Sequence, residues 1–230
     1  MTGLNEKLHG PDGALKAISN LDKDIELALE TYGPPPDRSL PATFQTLARS
    51  IVGQQISGAA ATSVWKRMKE AEVSTEQVIS KLEPDDMMPL GLSRRKAEYI
   101  IGIAREITTG ELDLKSFPQM SGESVQERLV KIRGVGAWTA DNYRLFALAD
   151  LDAWPVADIA LQEGMKILKS LDMRPDVKTM ETMGEPWRPF RGVGALILWH
   201  IYGSHKRKAT IADIYLIAGP NGKQRYPAMA

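Results

Sequence analysis

Hydrophobic residues recur along this chain at the spacing of amphipathic helices. Phe44, Leu47 and Ile51 follow the i, i+3, i+7 pattern that places side chains on one helical face. Two cleaner stripes have the same character: Ala97, Ile100, Ile101, Ala104 and Ile107, and then Val125, Leu129 and Ile132. Stretches in which polar and apolar residues alternate between turns, as in strands, are scarce. The pattern therefore predicts an all-α protein of about ten helices.

Two breaks in this pattern divide the chain. The segment "YGPPPDRSLP", Tyr32 to Pro41, carries four prolines, which break helices and favour extended backbone. A second change comes at "DLDAWPVAD", Asp150 to Asp158. The helical block between them has the size of a small domain. The two ends of the chain either form separate units or pair into one lobe.

A glycine turn interrupts the helical pattern within "LVKIRGVGAWTADNYRLFAL", Leu129 to Leu148. Glycine tolerates positive φ, so Gly134 and Gly136 can reverse the chain within very few residues. The next helix then begins near Ala137, and its first amides lack intrahelical partners, which makes an anion-binding site. Taken alone, such a turn is more often a simple connection between helices.

Composition removes several classes of function. The 230 residues include no cysteine, which excludes disulfides, cysteine-bound zinc and cysteine-ligated iron–sulfur clusters. The formal net charge is zero, so a polyanionic partner must be held by local clusters or backbone amides. The polar start lacks a signal-peptide core and no apolar run reaches a membrane span, which predicts a cytoplasmic protein.

Five stretches, in this order, carry a resemblance to a known family. They are "IVGQQISGAAA" at residues 51–61, "LGLSRRKAEYI" at 90–100, "LVKIRGVGAWTA" at 129–140, "WPVADIALQ" at 154–162 and "PWRPFRGVGALILW" at 186–199. Over residues 40–203 the chain resembles the helix-hairpin-helix DNA glycosylases, and most of all their 3-methyladenine DNA glycosylase II branch. The resemblance implies two helical lobes with a cleft between them. We predict one lobe at residues 38–152, which carries the hairpin, and a second from residues 1–37 and 153–230.

The resemblance also assigns roles to individual residues. The catalytic aspartate falls on Asp158. The hairpin would hold DNA phosphate through Gly134, Val135, Gly136, Ala137 and Thr139. A wedge loop, defined as Gln54, Gln55, Ile56 and Ser57, would enter the duplex. The base pocket would use Trp138, Trp199 and Tyr143. In relatives, hairpin carbonyls bind a monovalent cation; here these belong to Val130, Ile132 and Gly134.

The chain departs from the family at several of these positions. Bifunctional relatives, which also nick DNA, carry a lysine where this chain has Trp138, so no Schiff-base lyase is expected. The usual proline before the Gly-Val-Gly turn is Arg133. An aromatic pocket residue of a bacterial relative falls on Asn142, beside Tyr143. The β-domain of longer bacterial enzymes does not fit before residue 40, which predicts the compact form.

Cleavage of a glycosidic bond is a reaction in which a carboxylate such as that of Asp158 can take part. Cleavage passes through an oxocarbenium-like sugar, which a buried carboxylate stabilises. The same carboxylate can position or deprotonate the attacking water. Without the family pattern, Asp158 is better explained as the N-cap of the helix "IALQEGMKIL". Likewise, Trp138 and Trp199 suit either cation–π stacking on an alkylated base or ordinary core packing.

These features predict a monofunctional DNA glycosylase. It would flip out alkylated purines such as 3-methyladenine and hydrolyse their N-glycosidic bond in base excision repair. The alternatives are a glycosylase for oxidised or mismatched bases and a non-catalytic DNA-binding protein with a helix-hairpin-helix. The expected partner is double-stranded DNA with damaged bases, and the protein is expected to act as a monomer. Its expected location is the cytoplasm, at the nucleoid of a bacterium, or the nucleus of a eukaryote. No cofactor and no membrane are required, and a structural Na⁺ or K⁺ at the hairpin is compatible with this prediction.

Overall fold

The apolar stripes of the sequence become the buried faces of helices. The computed structural model describes residues 3–9 and 13–217, with side chains to residue 206, and every regular element in this part is helical. The all-α prediction is confirmed. The α-helices are α1 Leu4–His9, α2 Ala14–Leu21, α3 Lys23–Tyr32, α4 Phe44–Gly53, α5 Gly58–Glu70, α6 Glu76–Ile79, α7 Pro84–Met87, α8 Arg94–Thr109, α9 Gly122–Val130, α10 Ala137–Leu148, α11 Ile159–Leu168, α12 Val177–Gly184 and α13 Arg191–Ile217.

The helix count exceeds the expected ten because some helices are very short. Both α6 and α7 contain only four residues, too few for a 3.6-residue period to be visible in sequence. The long stripes behaved as expected: Ala97, Ile100 and Ala104 on α8 are fully buried. Ser93 caps that helix, accepting a hydrogen bond from the Lys96 amide at 3.3 Å.

Two hydrophobic cores organise the helices into two lobes. The first core is built from buried residues between Phe44 and Tyr143. The second combines the N-terminal helices, from Leu4 to Ala28, with buried residues from Leu145 to Ile201. The two ends of the described chain therefore share one core. Because α10 contributes to both cores, the exact lobe limits at residues 37 and 152 stay a prediction.

The repeated string "RGVGA" has a different structural use in its second copy. Gly192 donates its amide to the Leu151 carbonyl at 2.7 Å, and a Cβ there would lie 2.8 Å from the same oxygen. A Cβ on Gly194 would overlap the ring of Trp187. These glycines let the start of α13 pack closely against its neighbours. They form no turn comparable to residues 131–136.

Among the described residues, no helix is long and apolar enough to cross a membrane. The segment after Ile217 and residues 1–2 and 10–12, all assigned to the second lobe from sequence, lie outside the described part of the chain.

Candidate active site and hairpin

The hairpin, residues 131–136, joins α9 to α10 by a tight turn. Gly134 adopts φ 93°, a left-handed conformation that favours glycine. Gly136 is the N-cap of α10 and, having no side chain, leaves the first amides of that helix without a side-chain acceptor. Val135 between them is buried in the first core, which fixes the turn to the lobe. The predicted helix–turn–helix is therefore present, and α10 begins without a side-chain cap at two exposed residues, Ala137 and Trp138.

The wedge loop, residues 54–57, is tied directly to this hairpin. The Gln54 side-chain amide donates to the Gly134 carbonyl at 3.1 Å and to the Thr139 hydroxyl at 3.2 Å. Thr139 is buried, so its part in the site is to support Gln54 and the turn. Gln55 and Ile56 are exposed, and Gln55 has φ 58°, a strained conformation for a residue with a side chain. The two predicted DNA-contacting segments thus form one continuous surface.

The base of the wedge loop is held by a cation from α8. Lys96 Nζ donates to the carbonyls of Val52 and Gln54, at 2.7 and 2.6 Å. Partial burial lowers the pKa of Lys96 below its ordinary value. At the other end of the loop, Ser57 caps α5 through the Ala60 amide at 3.2 Å. The ammonium group of Lys96 is thus committed to positioning the loop.

Asp158 lies at the N-terminus of α11, where three donors meet its carboxylate. The Leu161 amide and the Trp199 indole donate to Oδ1, at 2.9 and 3.0 Å. The Trp138 indole donates to Oδ2 at 2.8 Å. The N-cap expected from sequence is present, and it coexists with contacts from two other helices. A carboxylate held in this way is fixed in orientation before any substrate arrives.

The two tryptophans around Asp158 differ in accessibility. Trp138 is 38% exposed and offers an aromatic face to the cleft. Trp199 is only 9% exposed, and its ring stacks on Phe146 with centroids 5.6 Å apart. It reaches Asp158 because Gly164, which has no Cβ, lets the α13 backbone at Leu198 pack directly on α11. Trp199 is not among the residues that line the cleft, and its part is to donate to Asp158 and orient it. Trp138 lines the cleft and is the more exposed of the two rings.

A cleft of about 1330 Å³ joins these elements. Its walls are formed by Gly53 with residues 54–56 of the wedge loop, by Val130 with residues 131–136 of the hairpin, and by residues 157–160 before and within α11. Four cationic side chains line it: Arg95, Lys96, Lys131 and Arg133. Among the described residues that line the cleft, Asp158 is the only carboxylate. A chain with no net charge thus has a local positive surface around a single anionic group.

Tyr143, predicted to line the base pocket, is not in this cleft. Its side chain is 1% exposed and packs edge-on against Phe117, with ring centroids 6.3 Å apart, in the first core. Burial raises the pKa of its phenol. The prediction was wrong because Tyr143 follows Trp138 by five residues. That spacing turns the helix by about 140°, away from the cleft.

Replacing Tyr143 with phenylalanine should therefore leave activity intact. Its hydroxyl has no hydrogen-bond partner among the described protein groups, so no protein hydrogen bond is lost. We expect unchanged rates of base release and a melting temperature no lower than that of the parent. A decrease in the rate of base release with unchanged stability would show that the Tyr143 hydroxyl contributes to the active site.

Two residues near the cleft carry no signal in the sequence pattern. The Tyr99 ring packs against Gly134 and lies beneath the guanidinium groups of Arg95 and Arg133, 5.6 and 5.5 Å from its centroid. Arg38, in the proline-rich linker, lies over Trp199. Both depend on contacts between distant segments, which periodicity within one helix does not reveal.

Comparison with known proteins places these features in a family. The family model described as "HhH-GPD superfamily base excision DNA repair protein" matches residues 48–189. The chain is 32% identical over 167 residues to the putative DNA-3-methyladenine glycosylase YfjP of Bacillus subtilis, covering 69% of this chain and 58% of that one. It is 28% identical to the alkylbase DNA glycosidase-like protein mag2 of Schizosaccharomyces pombe, covering 84% and 95%. The chain thus spans somewhat over half the length of YfjP.

A solved structure agrees in fold with this chain. The 3-methyladenine DNA glycosylase Mag1 of Schizosaccharomyces pombe, in complex with abasic DNA, superimposes with a TM-score of 0.73 at 27% identity. The match covers 81% of this chain and 94% of that one.

Proposed function

Because the chain belongs to the HhH-GPD superfamily of base excision DNA repair proteins, we propose that it is a monofunctional DNA glycosylase for alkylated purines such as 3-methyladenine. One observation carries the proposal. A single carboxylate, Asp158, is held by two indole N–H groups in a cleft whose rim is the hairpin. The names of the relatives support the same substrate class.

The reaction follows from the position of the carboxylate. Once a damaged nucleotide is flipped into the cleft, its N-glycosidic bond breaks and the electron pair leaves with the base. The sugar becomes oxocarbenium-like, and the negative charge of Asp158 stabilises that cation. Water then attacks C1′ and gives its proton to Asp158 or to solvent. The three donors around Asp158 fix its orientation throughout.

Trp138 provides the recognition surface in this proposal. An alkylated purine carries a positive charge in DNA, and stacking such a base on an indole is worth about 2 kcal/mol when it is desolvated. The exposed face of Trp138 is suited to this contact. Trp138 also carries no amine, so water remains the expected nucleophile and no lyase step follows.

The hairpin and the wedge loop would hold the DNA open. The uncapped amides at the start of α10 bind a phosphate, helped by the positive end of the helix dipole. Gln55 and Ile56 are the exposed members of the loop that would replace the flipped nucleotide in the stack. Gln54 links the two segments, so phosphate binding and insertion would occur on one rigid surface.

The hairpin carbonyls also suit the predicted monovalent cation. The Ile132 carbonyl accepts from the Val135 amide and the Gly134 carbonyl from Gln54, but a carbonyl oxygen has a second lone pair. Val130, at the end of α9, would supply the third oxygen. A bound Na⁺ or K⁺ would add positive charge beside the phosphate. Binding of duplex DNA by a monomer completes the proposal.

The direct test is base release from duplex DNA treated with a methylating agent. We expect the protein to release methylated purines and to leave the abasic strand intact until alkali is added, because Trp138 replaces the lysine of bifunctional enzymes. Chromatography of free bases and denaturing gels measure both outcomes. Failure to release any methylpurine would overturn the proposal, and release of oxidised or mismatched bases alone would favour the alternative glycosylase. Strand cleavage coupled to release would contradict the role given to Trp138.

A further inference from the structure

Two arginines from different segments share one aromatic ring at the edge of the cleft. The Cζ atoms of Arg95, on α8, and Arg133, in the hairpin, lie 5.6 and 5.5 Å from the centroid of the Tyr99 ring. Arg95 Nε also donates to the Tyr99 hydroxyl. Both arginines line the cleft. Two like charges are thus gathered at one place, although the proposed reaction uses neither of them.

The Tyr99 ring fixes this pair of cations to the hairpin. A Cβ built on Gly134 would lie 2.3 Å from two carbon atoms of the ring, so the ring packs directly against the glycine turn. Arg133 immediately precedes Gly134, and the uncapped amides at the start of α10 follow closely. The two guanidinium groups therefore stand beside the amides that are proposed to bind a phosphate.

Most hydrogen-bond donors of the two arginines are free. A guanidinium carries five N–H groups in one plane and stays protonated in proteins. Among the described residues, only Nε of Arg95 and Nη2 of Arg133 have hydrogen-bond partners. The remaining N–H groups suit the oxygens of a phosphate, which arginine often binds through two parallel hydrogen bonds.

A single carboxylate balances only part of this positive charge. Glu98 forms an ion pair with Arg133, with 3.2 Å between Oε2 and Nη2. Within the described part of the chain, no carboxylate forms an ion pair with Arg95. The side chain of Arg133 is 76% exposed, and an exposed ion pair of this kind contributes little to stability. A phosphate that approached Arg133 would therefore compete with Glu98 on similar terms.

We propose that Arg95 and Arg133 bind the phosphate backbone of duplex DNA beside the phosphate held by the α10 amides, and that Glu98 competes with DNA for Arg133 and so limits the affinity for the backbone. This inference rests on the proposed glycosylase function and adds to it a contact surface and a residue that weakens binding. Duplex DNA is the partner that fits, because the pair shares its cleft with the wedge loop and the hairpin.

A competitor for one cation has a physical use in a protein that searches DNA. Binding that does not depend on sequence comes almost entirely from contacts between cations and phosphates. Each such contact strengthens binding to every stretch of duplex, whether or not it contains a lesion. A carboxylate that takes back Arg133 makes this contact weaker, so the protein leaves undamaged DNA more readily.

The first experiment measures how the affinity for an undamaged duplex depends on salt. Fluorescence anisotropy with a labelled duplex gives the logarithm of the association constant against the logarithm of the salt concentration. The magnitude of this slope falls by about 0.9 for each phosphate contact that is lost. Arg95→Ala and Arg133→Ala should each reduce it by about 1, and the double variant by about 2.

Arg94→Ala is the matched control for the loss of a positive charge. Arg94 lies next to Arg95 in the first turn of α8, but it pairs with Asp85 and does not line the cleft. Its replacement should leave the salt slope unchanged. Slopes in Arg95→Ala and Arg133→Ala that equal the slope of this control would overturn the backbone site.

Glu98→Gln tests the competition for Arg133. Loss of the carboxylate should tighten binding to the undamaged duplex at low salt by about two- to fivefold, as expected when an exposed ion pair no longer has to be broken. In the Arg133→Ala background the same substitution should have a much smaller effect, because the partner of Glu98 is gone. An equal gain in both backgrounds would mean that Glu98 acts only as a distant negative charge, and would overturn the competition.

The proposed function can fail separately from this inference. Wild type that binds the duplex through both arginines but releases no methylpurine would overturn the glycosylase and leave the backbone site in place. Wild type that releases methylpurine, with salt slopes that neither arginine variant changes, would overturn the backbone site alone.

Discussion

Replacing Asp158 with asparagine should lower single-turnover release of methylpurine by about 1000-fold or more. The change removes one negative charge from a site in which Asp158 is the only carboxylate among the described lining residues. The oxocarbenium-like sugar then loses the charge that faces it, and no other anionic side chain of the cleft can replace it. The rate of base release from methylated DNA measures the effect.

The same substitution should leave the fold largely intact. Asparagine is as good an N-cap as aspartate, so the bond from the Leu161 amide is kept. The amide nitrogen of asparagine accepts no hydrogen bond, so one of the two indoles loses its acceptor. We expect this loss to lower the free energy of unfolding by roughly 1.5–3 kcal/mol, because the acceptor is a charged group. Asp158→Asn should therefore lower the rate of base release strongly and the stability only moderately. If Asp158 had a purely structural role, its replacement would change the rate of base release little.

Asp176→Asn is the matched control for this experiment. Asp176 caps α12 by accepting from the Thr179 amide at 2.8 Å, as Asp158 caps α11, but it is not part of the cleft. Its replacement should change neither the rate nor, to within about 0.5 kcal/mol, the stability. If Asp158→Asn retained full activity, the carboxylate would be only a helix cap.

Much of the fold could be predicted from the sequence because the buried face of a helix appears as a local pattern of apolar residues. The stripe from Ala97 to Ile107 predicts α8 and its buried side, and Ser93 marks its start. Short elements such as α7 are stabilised by caps and neighbours rather than by a periodic face, so they leave little trace in the pattern. The pairing of both chain ends into one core depends on contacts between distant segments, which the sequence pattern left open.

Only part of the site could be predicted from the sequence, because contacts between distant segments leave no local pattern. The Gly-Val-Gly turn and the cap at Asp158 are local patterns, and both are present. The bonds that turn Asp158 into a preorganised group come from indoles 20 and 41 residues away. Arg38 lies in a linker with no periodicity at all, so nothing in the sequence connected it to Trp199.

The family resemblance identified residues of the site but did not show which of them support it and which are exposed to a ligand. Trp138 and Trp199 both entered the prediction as base-pocket aromatics, yet only Trp138 presents an open face. Gln54 entered as part of the wedge loop, but its side chain is bonded to the hairpin and Thr139. In both cases the hydrogen-bond partners, which are set by the tertiary structure, separate residues that hold the site from residues free to meet DNA.

Replacing Gly136 with valine should weaken binding to a duplex with an abasic-site analogue by about 10- to 100-fold, because a hydrogen bond to a charged group is worth roughly 1.5–3 kcal/mol. Gly136 has φ −87° and ψ 172°, an extended conformation that suits valine, and a Cβ built there meets no atom within 4 Å. The new side chain would therefore fit the folded protein. It would project beside the free amides of α10, where the proposal places a phosphate. Fluorescence anisotropy at one fixed salt concentration measures the loss.

The neighbouring glycine shows why the choice of position matters. A Cβ on Gly134 would overlap the Tyr99 ring, and φ 93° is unfavourable for alanine, so Gly134→Ala should destabilise the fold and is unsuited to a binding test. Gly102→Ala serves as the control: its Cβ also meets nothing within 4 Å, and Gly102 does not line the cleft. It should bind DNA as the parent does. Unchanged affinity in Gly136→Val, with a normal melting curve, would mean that the phosphate is held elsewhere and that the turn only connects α9 to α10.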